Sequence, residues 1–217
     1  MKKQLLSIII SLPSFYLCAQ NVPNPGFELW TTQGQTESPD GWIGSPAITK
    51  SIDANSGSFS ARIEAGTFTN PQSGQTFQIP GRVVTGISGG GMGAPGIEGY
   101  PSTFRPDSIT GMFKYEPNGI DSCIIRIKIT SWNSTTASRD ILGQGVFVSY
   151  GSAGYSTFSS PIEYVSSNTP DSCTIELMSS NPQSGIQGSV LWIDDIELIS
   201  TLGLMDESDN KVQVYPV

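Results

Sequence analysis

Polar and apolar positions alternate with period two in short runs along most of the chain. Residues 58–65 set Phe59, Ala61, Ile63 and Ala65 on one face and polar side chains on the other. Residues 122–131 do the same with Cys123, Ile125, Ile127 and Ile129 against Arg126, Lys128 and Thr130. Half-buried strands are also predicted at 107–116 (Ile109, Phe113, Tyr115), 145–150 (Val146, Val148, Tyr150) and 172–179 (Cys173, Ile175, Leu177). Residues 190–199 are apolar in both phases, as expected of a central strand covered on both sides. No stretch sustains a helical period. Strands with one apolar face must close on each other to bury it, so the pattern predicts an all-β, two-sheet antiparallel β-sandwich.

Three of these strands are entered through Asp-Ser: Asp107-Ser108, Asp121-Ser122 and Asp171-Ser172. Both side chains bond nearby backbone amides and so stabilise the turn that starts a strand. Residues 86–99 are Gly-rich, with Gly89-Gly90-Gly91. They lack the Lys-Ser/Thr and the following helix of a phosphate-cradling loop, and read as a connection that can border a groove.

Composition supports this reading and adds an address. The 217 residues contain 24 Gly and 15 Pro with only 14% charged residues, a turn-rich profile that suits one domain with appendages. Met1-Lys2-Lys3 precedes an apolar stretch from Leu5 to Leu17 that is short and broken by Pro13. This is the form of an export leader, residues 1–20, rather than a spanning helix. Net charge is −8, and losing Lys2 and Lys3 with the leader makes it −10. A chain so acidic is not expected to bind nucleic acid, which needs a cationic face. No integral membrane segment is expected after the leader. The expected location is secreted or at the cell surface, via the periplasm. There Cys123 and Cys173 can either pair or remain buried thiols, and both alternatives stand at this point.

The absence of histidine removes Ser-His-Asp and Cys-His catalysis and the commonest zinc sites. Carboxylate chemistry remains, and Glu98, Glu116, Glu163 and Glu176 are candidates that no spacing pairs. Sugar binding needs an exposed aromatic ring for the pyranose face and a few polar groups for the hydroxyls. Trp132, in the polar turn Ser131-Trp132-Asn133-Ser134, is the best candidate, with Tyr100, Tyr150 and Tyr155 beside it. Trp30, Trp42 and Trp192 are assigned to the core.

The ends of the predicted domain carry a recognisable pair of motifs. Asn24-Pro25-Gly26-Phe27-Glu28-Leu29-Trp30 and Pro39-Asp40-Gly41-Trp42 open it, Phe104-Arg105-Pro106-Asp107-Ser108-Ile109 lies in the middle, and Val190-Leu191-Trp192-Ile193-Asp194-Asp195 closes it. In this order they resemble a bacterial family called putative carbohydrate-metabolism domains, over roughly residues 22–199. More distantly they resemble galactose-binding-like carbohydrate modules. The resemblance implies a jelly roll, residues 21–200, linked to glycans or polysaccharides as partner. It also implies a structural calcium ion joining the two ends through Glu28, Asp194 and Asp195. Capping of turns by these acids is the alternative. Residues 201–217 form a polar linker and a run, Val212-Gln213-Val214-Tyr215-Pro216, that resembles the start of a type IX secretion sorting domain and departs from it at Val217. The function expected is a non-catalytic carbohydrate-binding module. A structural or adhesive surface protein and a glycoside hydrolase are the alternatives.

Overall fold

Burying the alternating apolar faces takes two antiparallel sheets packed face to face. The structure, a computed structural model, describes residues 22–33, 36–44, 47–79, 81–87, 96–182 and 188–200. The leader, the tail after Ser200 and the Gly-rich stretch 88–95 lie outside the described residues. Strands in chain order are β1 (Trp30–Gln33), β2 (Thr36–Pro39), β3 (Trp42–Ile43), β4 (Ile48–Ser51), β5 (Ser60–Glu64), β6 (Gly66–Thr69), β7 (Thr76–Ile79), β8 (Arg82–Ile87) and β9 (Ile97–Glu98). They continue as β10 (Tyr100–Pro101), β11 (Ser108–Glu116), β12 (Cys123–Asn133), β13 (Ser138–Ser149), β14 (Ser156–Pro161), β15 (Glu163–Tyr164), β16 (Ser172–Met178) and β17 (Val190–Ile199).

The larger sheet runs β15-β13-β12-β16-β8-β3, with β9 on β8 and β10 on β16; the smaller runs β14-β11-β17-β5-β4. Hairpins β1-β2 and β6-β7 form two-stranded sheets of their own. The fold is all-β, an antiparallel jelly-roll sandwich. Among the described residues no helix is long and apolar enough to cross a membrane.

The core lies where the two inner faces meet. Ile125, Ile127 and Ile129 of β12 and Cys173, Ile175 and Leu177 of β16 are fully buried, facing Ile109, Phe113 and Tyr115 of β11 and Leu191 and Ile193 of β17. Phe147 of β13 crosses the gap, its ring centroid 5.1 Å from Phe113 and 5.6 Å from Phe158. Such tilted and edge-on contacts suit the aromatic quadrupole. β17 is central, between β11 and β5, as its two apolar phases require. Its outward Trp192 is buried beneath cations, with Lys114 Nζ 4.2 Å and the Arg62 guanidinium 5.6 Å from the ring.

Two expectations are corrected. In β13 the inward residue is Phe147, while Val146, Val148 and Tyr150 are 48, 44 and 75% exposed. The β12-β13 register slips at Leu142, an extra residue between Ile141, opposite Thr130, and Gly143, opposite Ile129. That bulge resets which phase points inward, and the larger Phe147 ring takes the core. In the second correction, Phe59 precedes β5 and is half-buried on the surface, with Lys50 Nζ 5.0 Å from its ring.

Cys123 and Cys173 are both buried free thiols. Cys173 lies opposite Ile129, six residues along β12 from Cys123. At strand rise that is about 20 Å, against the ~5.5 Å between Cα atoms that a disulfide needs.

Candidate functional site

The closing strand meets the opening motif at one junction. On β17, Asp194 faces Met112 and Glu197 faces Thr110, so Asp195 and Ile196 together oppose Gly111. Asp195 takes a left-handed φ of 50°, which a non-glycine residue adopts at a cost of about 1–2 kcal/mol. Side-chain bonds hold it there: Asp195 Oδ2 accepts from Asn55 Nδ2 at 2.9 Å and Oδ1 from Ser56 Oγ at 2.7 Å. Asp194, fully buried, accepts the amides of Asn55 and Ser56 on Oδ2 at 2.8 and 3.1 Å and that of Asp195 on Oδ1 at 2.9 Å. Ile196 N donates to Pro25 O, and Glu28 Oε1 accepts the amides of Ser58 and Phe59 at 2.8 and 3.0 Å.

Glu28, Asp194 and Asp195 thus converge on the loop 53–59. A calcium shell mixes carboxylates with carbonyl oxygens, whereas the groups turned toward these acids are N–H and O–H donors. No cluster of three acids is arranged to hold a metal among the described residues. Hydrogen bonding accounts for the buried carboxylate of Asp194. Burial drives the carboxyl of Asp194 above its ordinary value, with the negative charge of Asp195 adding to it, against the pull of three amides.

The aromatic candidates do not come together. Tyr100 faces inward beside Cys173, its hydroxyl buried and its phenol pushed up by burial. Tyr155 donates from its hydroxyl to Asp53 O at 2.7 Å, next to the junction, and its phenol is pushed up to about 12, chiefly by burial. Tyr150 is exposed beyond the end of β13, past Ser149, which pairs with Cys123. Trp132 lies at the opposite end of β12, opposite Arg139 and roughly 30 Å from Tyr150 at strand rise.

Trp132 is 54% exposed on the outer face of the larger sheet. Its amide donates to Asp171 Oδ2 at 2.8 Å, while Arg139 Nη1 bonds Asp171 Oδ1. The Asp-Ser turn at β16 therefore positions a ring with an ion pair at its side. Along the same face, cross-strand register assembles a shallow groove lined by Arg82, Glu98, Arg126, Lys128, Thr174 and Glu176. Arg82 forks onto Glu98, Nη1 to Oε1 at 3.0 Å and Nη2 to Oε2 at 3.1 Å, and turns its Nε to Glu176 Oε1. Arg126 Nη1 donates to Glu176 Oε2 at 2.8 Å. Two of the four candidate acids, Glu98 and Glu176, therefore share one guanidinium. Every oxygen of both is engaged by arginine, which leaves neither disposed to move a proton or attack a glycosidic bond. Glu116 and Glu163 stand apart at strand ends.

Sequence reasoning missed the groove as a unit. The outward phase of residues 122–131 did expose Arg126 and Lys128, and that was its one visible signal.

No protein-family model matches the sequence, and no curated protein matches it. Solved structures do. A protein from Bacteroides thetaiotaomicron described as a putative glycoside hydrolase shares 16% identity with a TM-score of 0.58, over 79% of this chain and 66% of that one. A family 11 carbohydrate-binding module of a Clostridium thermocellum cellulase follows at 12% identity and TM-score 0.42, over 74% and 84%. The family 11 module from that organism in complex with a β-1,3-1,4-mixed-linked tetrasaccharide gives 11% and 0.43, over 79% and 95%. At such identity the Bacteroides likeness establishes the fold class, a jelly-roll β-sandwich. The chain spans 66% of that protein's length.

Proposed function

We propose that the chain is an exported, non-catalytic module that binds carbohydrate on the outer face of its larger sheet, with Trp132 as the stacking ring. One observation carries the reading. Trp132 is a large aromatic left 54% exposed on a strand face, with the fixed Arg139–Asp171 pair beside it. A pyranose presents C–H groups to a ring and hydroxyls to charged donors and acceptors, which is the chemistry this arrangement offers. Export by the leader 1–20 and surface delivery by the tail 201–217 belong to the same proposal.

The test is binding of the chain to a panel of polysaccharides, with Trp132→Ala as the control. Binding should fall at least about tenfold in the variant with its melting temperature unchanged, since the ring is not in the core. No binding to any glycan, or full binding by the variant, sinks the proposal.

A second reading draws on the exposed Val146 and Val148 of β13, whose stretch beyond Gln144 has no partner on its outer side among the described strands. A half-open strand with apolar side chains can take a partner's strand, as an adhesive protein would. Binding to a protein partner that Val146→Lys abolishes and Trp132→Ala leaves intact would favour it.

A further inference from the structure

The groove has a charge balance opposite to that of the chain. The chain carries a net −8, whereas Arg82, Arg126 and Lys128 line the groove against Glu98 and Glu176 alone, three positive groups to two negative. The pairing inside it is also uneven. Arg82 spends three of its five N–H groups on the two glutamates, but Arg126 spends a single N–H on Glu176. Lys128 forms no ion pair with another described residue. Arg126 and Lys128 lie two residues apart on one face of β12, about 7 Å at strand rise. Lys128 is flanked by Thr174 on β16 and by Gln144 on β13. An ammonium with neutral hydrogen-bonding neighbours therefore sits beside a guanidinium that Glu176 engages on one N–H.

We infer that this groove holds the carboxylate of an acidic sugar, so that the glycan bound by this face is a uronic-acid polysaccharide. The inference rests on the carbohydrate-binding reading of the same face. Glu98 already shows the geometry required, a carboxylate lying bidentate on a guanidinium at the groove's other end. A uronate takes the equivalent position on the unused N–H groups of Arg126 and on Lys128 without displacing an existing partner. Charge-assisted hydrogen bonds of this kind are roughly twice as strong as neutral ones. From Lys128 the outward row of β12 continues to Trp132, about 13 Å on at strand rise, so a chain anchored by its carboxylate reaches the ring along one strand. Glu163, opposite Gln144 on the edge strand β15, marks where the positive field ends. The chain's overall negative charge acts weakly, since exposed charges beyond about 8 Å are screened at physiological salt.

The test uses the full chain with polygalacturonate, its fully methyl-esterified form, and dextran sulfate as probes. Polygalacturonate should bind at least about tenfold more tightly than the ester and weaken as salt rises from about 50 to 500 mM. Lys128→Gln should remove that preference, and Lys128→Arg should restore it. Trp132→Ala should weaken both probes alike. Equal binding of acid and ester, or a preference that Lys128→Gln leaves intact, overturns the inference and leaves carbohydrate binding standing. Tighter binding to dextran sulfate than to polygalacturonate overturns the choice of carboxylate. Failure to bind any neutral or acidic glycan overturns both readings.

Discussion

The carboxylate of Asp194 accepts the backbone amide of Asn55 at 2.8 Å, across 139 residues of sequence. With Ser56 and Asp195 donating to the same side chain, one buried group ties the last strand of the smaller sheet to the loop that leads into β5. Neighbouring bonds from Asp195 and Glu28 fasten the rest of that loop. The junction closes the domain's two chain ends on each other.

Asp194→Asn keeps the shape but turns one oxygen into an N–H donor facing amides that need an acceptor. A buried donor left unpaired costs about 1–3 kcal/mol, so the melting temperature should fall by roughly 2–12 °C. An unchanged melt would show that the latch is not needed.

Two buried aspartates should give opposite pH dependence. The folded carboxyl of Asp194 is raised above its ordinary 3.8, chiefly by burial. Its contribution is therefore present below the unfolded value and is lost as pH rises through the folded one. The advantage of the wild type over Asp194→Asn should shrink from mild acid toward neutral pH. At Asp121 burial also works to raise the carboxyl, but the amide of Asn181, the hydroxyls of Ser180 and Ser189 and the amide of Ser122 outweigh it and hold it below 3.8. Its contribution is present above the unfolded value and is lost as pH falls through the folded one. The advantage over Asp121→Asn should therefore shrink in acid. Stability curves at several pH values for the three proteins check both signs; parallel curves would refute the pair.

Gly57 should not tolerate a side chain. It has φ of 64°, and a Cβ there would meet Glu28 Oε1 at 2.1 Å. Gly57→Ala has to strain the backbone and push Glu28 off the amides of Ser58 and Phe59, a loss of about 2–3 kcal/mol. Thermal unfolding of the variant reads this directly, and a neutral result would mean that the loop yields freely.

The sandwich was legible where one phase of a strand is apolar and the other charged, as in residues 122–131 and 172–179. It failed at residues 145–150, where Val146, Phe147 and Val148 are apolar in both phases and the extra Leu142 decides which faces inward. Glu28, Asp194 and Asp195 were found through the resemblance, and the structure places them at one junction. Tyr100 was misplaced because a two-residue strand carries too little alternation to show its inward face. The groove escaped notice because β8, β9, β12 and β16 each bring one or two of its residues. Only their register joins Arg82, Glu98, Lys128 and Glu176.

Chelation separates the hydrogen-bonded latch from the calcium ion that the resemblance implies. With N–H and O–H donors filling the junction, a chelator should leave the melting temperature unchanged. Glu28→Gln, which keeps an acceptor oxygen for Ser58 and Phe59, should cost less than about 1 kcal/mol. A melt that drops on chelation and recovers with calcium would place a cation among these acids.

The two thiols offer the last prediction. Burial pushes Cys123 and Cys173 up to about 12 each, far above the pH at which a thiolate is available to react. Their positions on neighbouring strands also keep them too far apart to pair. A thiol reagent at neutral pH should therefore find neither residue in the folded protein and both in denaturant, with or without a reductant. The oxidising conditions outside the cytoplasm should not change this, because neither thiol reaches solvent. If denaturant exposed neither Cys123 nor Cys173 to the reagent until a reductant was added, the two would be bonded to each other, against the register between β12 and β16.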